Sequence, residues 1–344
     1  MMMDRAFFEN QLAASRIVRR HSVQVTVPTF QSYEVTKKTI EKLLAQKDAA
    51  VDILLVDNNS QDYVQLAQDF PQINYLVAKV NTGSGGAQCL GMHAAIFYGY
   101  ETLICTDNDA LLLSDDGLSK LLARLDPNNG IACVIPQNVE NSMEPGEDRD
   151  VHYPVPFHYV CLSVDFLKRI EPMDYYYFLY SDDVAFSSKV LSYATIRCAG
   201  DVLYYHEKYQ IKALTAGYQY FHLRGLVILT FIERHVALKF RVRHFLNILF
   251  KFGIAILRMI QFRDFLYVRI ALTAFFHGLF RRRVFQFPAW PKEKFQFVEV
   301  DAAEVKDRAV IISVLNALWL KKYYQYPMNF AHRVAYFKRV PNHP

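Results

Sequence analysis

Between Val23 and Asp107, short apolar runs alternate with stretches of helical spacing, and each run breaks at a polar residue or a proline. Val23 to Val27 reads as a strand that stops at Pro28, with a loop over Thr29 to Ser32. Tyr33 to Gln46 places Val35, Ile40, Leu43 and Leu44 on one helical face. Val51 to Val56 reads as a buried strand ending in Asp57-Asn58-Asn59-Ser60. A short helix over Asp62 to Phe70, a strand over Ile73 to Ala78 and a loop from Asn81 to Gly86 follow. Ala87 to Tyr100 reads as a helix, and a last strand ends at Asp107. This order predicts an α/β fold, a mainly parallel sheet with helices on both faces. Ligands of such sheets bind beyond the carboxyl ends of the strands. Thr29, Asp57, the loop after Asn81 and Asp107 therefore belong to one candidate site.

The stretch Leu103-Ile104-Cys105-Thr106-Asp107-Asn108-Asp109-Ala110 sets the chemistry. Strand alternation points residues i and i+2 the same way, so Asp107 and Asp109 can face one ligand. Carboxylates are hard oxygen donors suited to Mg²⁺ or Mn²⁺ held together with substrate phosphates. The plainer reading is a polar turn after a strand. Asp57 has two readings as well, a turn or helix cap or an acceptor of hydrogen bonds from a ribose or base. The loop Asn81-Thr82-Gly83-Ser84-Gly85-Gly86 lacks the Gly-Lys-Ser/Thr of a P-loop and is not GxGxxG. It is either a turn before a helix, or a place where the backbone at Asn81, Gly85 and Gly86 approaches an anionic donor at a helix N-terminus.

Taken in order, Val25-Thr26-Val27-Pro28-Thr29-Phe30, Leu55-Val56-Asp57-Asn58-Asn59-Ser60, the glycine loop into Ala87, and Thr106-Asp107-Asn108-Asp109 resemble the GT-A (Rossmann-like) glycosyltransferases of family 2. The resemblance covers residues 23 to 210. It implies an inverting, metal-dependent transferase that uses a nucleotide sugar, with a UDP- or dTDP-sugar as the expected donor. It also implies that Thr29 and Asp57 contact the nucleoside, and that Asp107 and Asp109 hold the ribose and a diphosphate-bound Mn²⁺ or Mg²⁺. Gln88-Cys89 departs from the Arg-Asn pair of many members.

Further on, a helix over Asp115 to Leu125 and a strand over Ile131 to Pro136 are expected, then a polar surface loop from Asn138 to Pro156 and a strand from Tyr159 to Val164. The loop is either a cover for the site or a plain connection. Asp174 to Tyr180 is an aromatic wall leading into Ser181-Asp182-Asp183, at the start of a helix running to Leu191. Adjacent carboxylates against aromatic rings repel each other and lose water, which raises a pKa. Asp182 suits an N-cap, which leaves Asp183 to face the site. The position resembles the family's acceptor motif. The resemblance makes Asp183 the catalytic base and puts Tyr180 and Asp182 on the acceptor, while Ala185 replaces an acid found there in many members. A strand-like stretch from Ala194 to Tyr205 leads to His206, which is either an ordinary side chain or, as in some family members, a metal ligand beside Asp107 and Asp109.

Beyond residue 215 the pattern changes, so the expected domains are 1–215, catalytic, and 216–344, helical. Twelve Lys or Arg and two acids lie between His222 and Phe285, although the whole chain of 344 residues carries only +5. His244, Asn247, Lys251, Arg258 and Gln261 form one polar stripe, and Arg269, Thr273, His277 and Arg281 another, on otherwise apolar helices. No stretch reaches the roughly 20 apolar residues of a membrane span. These helices either lie on an anionic membrane surface, with Arg281-Arg282-Arg283 favouring it, or pack within the chain or against a second subunit of a homo-oligomer. Nucleic acid is not expected, because the arginines are spread among large aliphatic residues. A late strand over Phe295 to Val300 and a helix over Val305 to Tyr324 complete the reading. Five cysteines without a CxxC pair and no signal-type run point to a reduced, cytoplasmic protein, peripheral at the inner face of the cell membrane. The expected work is transfer to a hydroxyl of a glycan or lipid-linked acceptor in cell-surface polysaccharide synthesis. The alternatives are a nucleotidyltransferase, which would want a basic Gly-rich signature that Pro28 to Tyr33 lacks, and an inactive glycan-binding scaffold.

Overall fold

The computed structural model describes residues 5–139, 144–156, 158–174, 177–206, 216–262 and 265–280, and two later strands. Contacts divide the chain into a sheet unit, residues 1–210 with Glu233–Ala237, and a helical unit, which begins at residue 211 and takes up again at Leu238.

The sheet unit opens with α1 (Arg5–Asn10) and β1 (Leu12–Arg16), followed by β2 (Val23–Thr29), α2 (Tyr33–Leu44), β3 (Val51–Asp57), α3 (Asp62–Asp69) and β4 (Asn74–Ala78). Next come α4 (Gly83–Phe97), β5 (Thr102–Thr106), β6 (Ala110–Leu112), α5 (Gly117–Arg124) and β7 (Cys133–Asn138). The unit ends with β8 (Arg149–Val151), β9 (Tyr159–Ser163), α6 (Val164–Ile170), α7 (Asp182–Leu191) and β10 (Ile196–His206). The sheet runs β1-β4-β3-β2-β5-β9-β7-β10-β6, with β8 on β10. Its centre, β4-β3-β2-β5, is parallel. From β2 the chain winds outward through β3 and β4, and then returns to place β5 on the other side of β2. The carboxyl ends of β2 and β5 therefore flank the point where strand order reverses, which is where such sheets open a crevice.

Burial explains the centre. Every residue of β2 and all but the first of β3 and β5 are buried, as strands covered on both faces require. β2 runs through Pro28 and does not stop there. The Thr29 carbonyl accepts from Asn58 N–H on the β3 side, so Pro28 faces the β5 side, where pairing ended at Thr26. No ladder bond is missed. The polar stretch 138–156 also differs from its reading as a surface loop. Arg149–Val151 pairs with β10, and Gly146 N–H donates to the Gly200 carbonyl at 2.8 Å, so its described residues hold to the sheet. All five cysteines are buried and free of disulfides.

The helical unit contains α8 (Ala216–Phe231), α9 (Leu238–Phe262) and α10 (Leu266–Leu279), and a two-stranded pair, β11 (Phe295–Asp301) with β12 (Arg333–Arg339). Gly278 lets α10 approach α8, since a Cβ there would lie 2.8 Å from the Arg224 carbonyl. On α9, His244, Asn247 and Lys251 are buried while Leu246, Leu249 and Ile260 are exposed, so the polar stripe faces inward. Arg281-Arg282-Arg283, the Val305–Tyr324 helix and the side chains of Arg258 and Gln261 lie outside the described residues.

Candidate active site

Asp107 to Asp109 form the turn between β5 and β6 and do not continue the strand, yet the two acids still share a side. Asn108 is drawn the other way. Its amide donates to Ser32 Oγ at 2.7 Å and Thr36 Oγ1 at 3.1 Å, and its carbonyl accepts from Thr39 Oγ1 at 2.6 Å. Pinning the middle residue to α2 turns the flanking carboxylates towards β10. There His206, paired with Ala110, lies with Nε2 3.0 Å from Asp109 Oδ1 and 3.7 Å from Asp107 Oδ2.

A further residue belongs to this cluster. β9 runs antiparallel beside β5, and one step past the Thr106↔Tyr159 partners the Asp107 N–H donates to the His158 carbonyl at 3.0 Å. The His158 ring stacks on His206 with centroids 3.9 Å apart and planes 2° from parallel, and its Nδ1 bonds Tyr204 Oη at 3.2 Å. Donor atoms of Asp107, His158 and His206 all lie within 4.8 Å of one another. One carboxylate and two imidazoles, with Asp109 reaching the group through His206, are donor types of a divalent transition ion, and one of the stacked rings must turn for both to share it, since an imidazole lone pair lies in its ring plane. Burial first, then Asp109, pushes the Asp107 pKa up to about 7, while His206 opposes the shift.

The Asp182–Asp183 pair opens α7. Asp182 is not the N-cap. Ser181 holds that position without a side-chain bond, in the left-handed region at φ 69°, next to Tyr180 at φ 64°. Two consecutive non-glycine residues in that region are strained, and such strain concentrates at functional sites. Gln31, Asn59 and Gln61, on the loops after β2 and β3, are left-handed as well. Burial raises the pKa of both Asp182 and Asp183, and Asp183 adds to the rise at Asp182. Asp183 also raises Asp107, which couples the pair electrostatically to the β5 acids.

The glycine loop supports this pair. Helix α4 starts at Gly83, within the loop and ahead of the expected Ala87. A Cβ on Gly83 would lie 1.8 Å from the Phe178 carbonyl, and one on Gly85 would lie 2.8 Å from the Tyr177 carbonyl and 3.0 Å from Asp182. A Cβ on Gly86 would meet Thr82 at 2.4 Å. Asn58 anchors the loop, donating to the Gly83 carbonyl at 2.9 Å and accepting from Thr82 Oγ1 at 2.7 Å. Asn81 accepts from Gly83 N–H at 2.8 Å. Gln88 donates to the Thr106 carbonyl at 3.0 Å, tying α4 to the end of β5.

Thr29 and Asp57 lie beneath the site. Asp57 accepts from Ser60 N–H at 2.6 Å, Ser60 Oγ at 3.0 Å and Tyr63 N–H at 2.9 Å, as a turn anchor does. The buried Thr29 hydroxyl donates to Asp62 at 3.0 Å.

Residues 24–179 match the family model described as Glycosyl transferase family 2. No curated protein matches. Among solved structures the fold is similar to S. aureus TarS 1-349, with 18% identity, a TM-score of 0.51 and coverage of 75% of this chain and 80% of that one. The same TarS segment in complex with UDP-GlcNAc gives 16% identity and a TM-score of 0.51 over 75% of this chain and 81% of that one. A mannosyltransferase, PcManGT from Pyrobaculum calidifontis in complex with GDP-Man and Mn²⁺, gives 15% identity and a TM-score of 0.48, with 91% and 84% covered. A mostly parallel α/β sheet, acids gathered beyond its strand ends and a matching family model agree: the chain is a glycosyltransferase that resembles the GT-A enzymes of family 2, and residues 24–179 carry the resemblance.

Proposed function

We propose that the protein transfers a sugar, with inversion, from a UDP- or dTDP-sugar to a hydroxyl of a glycan or lipid-linked acceptor, in cell-surface polysaccharide synthesis. The observation that carries this reading is the gathering of Asp107, Asp109, His206 and the Asp182–Asp183 pair beyond the strand ends. Asp183 is the base. An acceptor hydroxyl must lose its proton as it attacks, and a carboxylate raised by burial is a better acceptor of that proton at neutral pH. Asp182 and the half-exposed Tyr180 ring orient the acceptor. Asn81, Gly85 and Gly86 stand at the positively polarised start of α4, suited to the donor's diphosphate. Thr29 and Asp57 serve the nucleoside from below.

Asp107, His206 and His158 would hold the cation, with Asp109 positioning His206. Two imidazole nitrogens favour a transition ion such as Mn²⁺ over Mg²⁺, which prefers oxygen. The bound ion supplies positive charge to the leaving diphosphate. The reaction is placed in the cytoplasm, beside the inner face of the membrane where a lipid-linked acceptor is reached.

The test is titration of UDP and dTDP with and without Mn²⁺, together with a screen of their sugars for Mn²⁺-dependent hydrolysis. Asp109→Asn and His158→Gln are expected to weaken Mn²⁺ binding by about 10- to 100-fold. Unchanged Mn²⁺ affinity in both variants sinks the assigned cation site, and no hydrolysis of any UDP- or dTDP-sugar sinks the donor reading.

A further inference from the structure

In the helical unit, α9 turns its chemistry inside out. Its buried face carries His244, Asn247 and Lys251 with Ile248, Ile254 and Ala255. Its exposed face carries Leu238 at 76%, Val242, Leu246, Leu249, Ile256 and Ile260 at 65%. Spacings of three and four keep these on one stripe along the whole helix, with the exposed Gly253 filling the gap in the middle. Helix α10 repeats the pattern, with Leu272 and Phe276 exposed and Phe265 and Phe280 just beyond its ends at 74% each. Ring contacts join the helices at this surface. Phe231 meets Phe245 and Phe275 at 6.2 Å each, and Phe276 stacks on Phe280. Scattered exposed apolar residues are ordinary, but a continuous ridge marks an interaction surface.

Charge selects the partner. Helices α8, α9 and α10 contain no Asp or Glu. Lys239 is exposed next to Leu238, and Arg269 is exposed within the α10 stripe between Phe265 and Leu272. A second copy seated on this ridge would bring these cations against their own kind, with no carboxylate on the three helices to answer them. A surface of anionic lipid headgroups over acyl chains answers both the cations and the ridge. No helix among the described residues is long and apolar enough to cross a membrane, so the ridge lies in the interface.

We infer that the exposed ridge of α9 and α10 seats the protein on an anionic lipid surface, with apolar side chains entering the headgroup boundary and Lys239 and Arg269 holding headgroup phosphates. This deepens the membrane-side placement proposed above and is independent of the transfer chemistry.

The experiment is co-sedimentation of the full chain with vesicles of phosphatidylcholine alone and of phosphatidylcholine mixed with phosphatidylglycerol. Wild type is expected to pellet with the mixed vesicles and to stay partly bound in high salt. Leu249→Glu with Ile260→Glu should lower the bound fraction by more than about tenfold, at low and high salt alike. Lys239→Gln and Arg269→Gln should each weaken binding by about fivefold at low salt and far less at high salt. Thermal melting shows whether each variant is folded, since the altered side chains already face solvent. Two results overturn the inference. One is wild type that remains in the supernatant with mixed vesicles at low salt. The other is a dimer by light scattering that Leu249→Glu with Ile260→Glu converts to monomer. Failure of donor binding in the titrations above would leave the vesicle result untouched, so the two readings fail separately.

Discussion

The two units place polar and apolar side chains in opposite ways. In the sheet unit, β2, β3 and β5 are buried, and acids stand where β3 and β5 end. Where an acid is fully buried it is satisfied, as Asp57 is by Ser60 and Tyr63, and as Asp52 is by the N–H groups of Arg20 and His21 and by Tyr100 Oη. In the helical unit Arg224, His244 and Lys251 go inside while Leu249, Ile260 and Phe276 stay out. Burying cations costs free energy that exposing leucines does not return in water. The first unit is arranged for water around it. The second has the opposite arrangement, which the lipid-surface inference above would account for.

Three comparisons test this contrast. The largest effect belongs to the acids at the rim of the sheet unit. Asp183→Asn should lower kcat by about 10²- to 10⁴-fold, with donor affinity unchanged. Its melting temperature at neutral pH should hold or rise, because burial disfavours the ionised carboxyl that the substitution removes. Near wild-type transfer by Asp183→Asn would move the base to Asp182.

The next effect comes from the inverted interior. Burial, then Arg243, depresses the His244 pKa from 6.5 to about 4. Between those pH values the unfolded chain takes up a proton that the folded unit refuses, so stability rises with pH across the window. One such histidine gives about 1.4 kcal/mol per pH unit. Burial lowers His222 too, and it adds in the same sense. Amide exchange in α8 to α10 followed from pH 6.5 down to 4 should show the loss, and His244→Leu should flatten it. An equal slope in that variant would break the contrast.

The smallest effect is diagnostic by its size. Leu249→Gln should change stability by no more than about 0.5 kcal/mol. A buried leucine of the same unit, Leu226, should cost about 2–5 kcal/mol as alanine. A large loss at Leu249 would mean that its side chain is covered in solution, and denaturant melts of the two variants decide it.

The strand and helix periods made most of the sheet unit legible, because buried parallel strands write apolar runs into the sequence. The exceptions share a cause. β1 pairs only at the sheet edge, and its residues Leu12-Ala13-Ala14-Ser15-Arg16 mix exposed and half-buried positions. β6 has three residues, too few for a period. His158 escaped because its place is set by antiparallel pairing of β9 with β5, a contact between strands more than fifty residues apart that neither strand encodes alone. The start of α4 was hidden by glycines, whose absent side chains carry no period. The stripes on α9 were visible in the sequence, but a period gives two faces without saying which one meets solvent.

The close approach of Gly83 to Phe178 has a consequence for spacing. With a Cβ excluded by the Phe178 carbonyl, and Gly85 pressed against Tyr177 and Asp182, the start of α4 and the strap that carries the acceptor acids have no clearance between them. Neither can move towards the other. In the transfer proposed here, the loop for the diphosphate and the turn for the base therefore keep a fixed least spacing, and the reach between donor and acceptor has a floor set by two absent side chains.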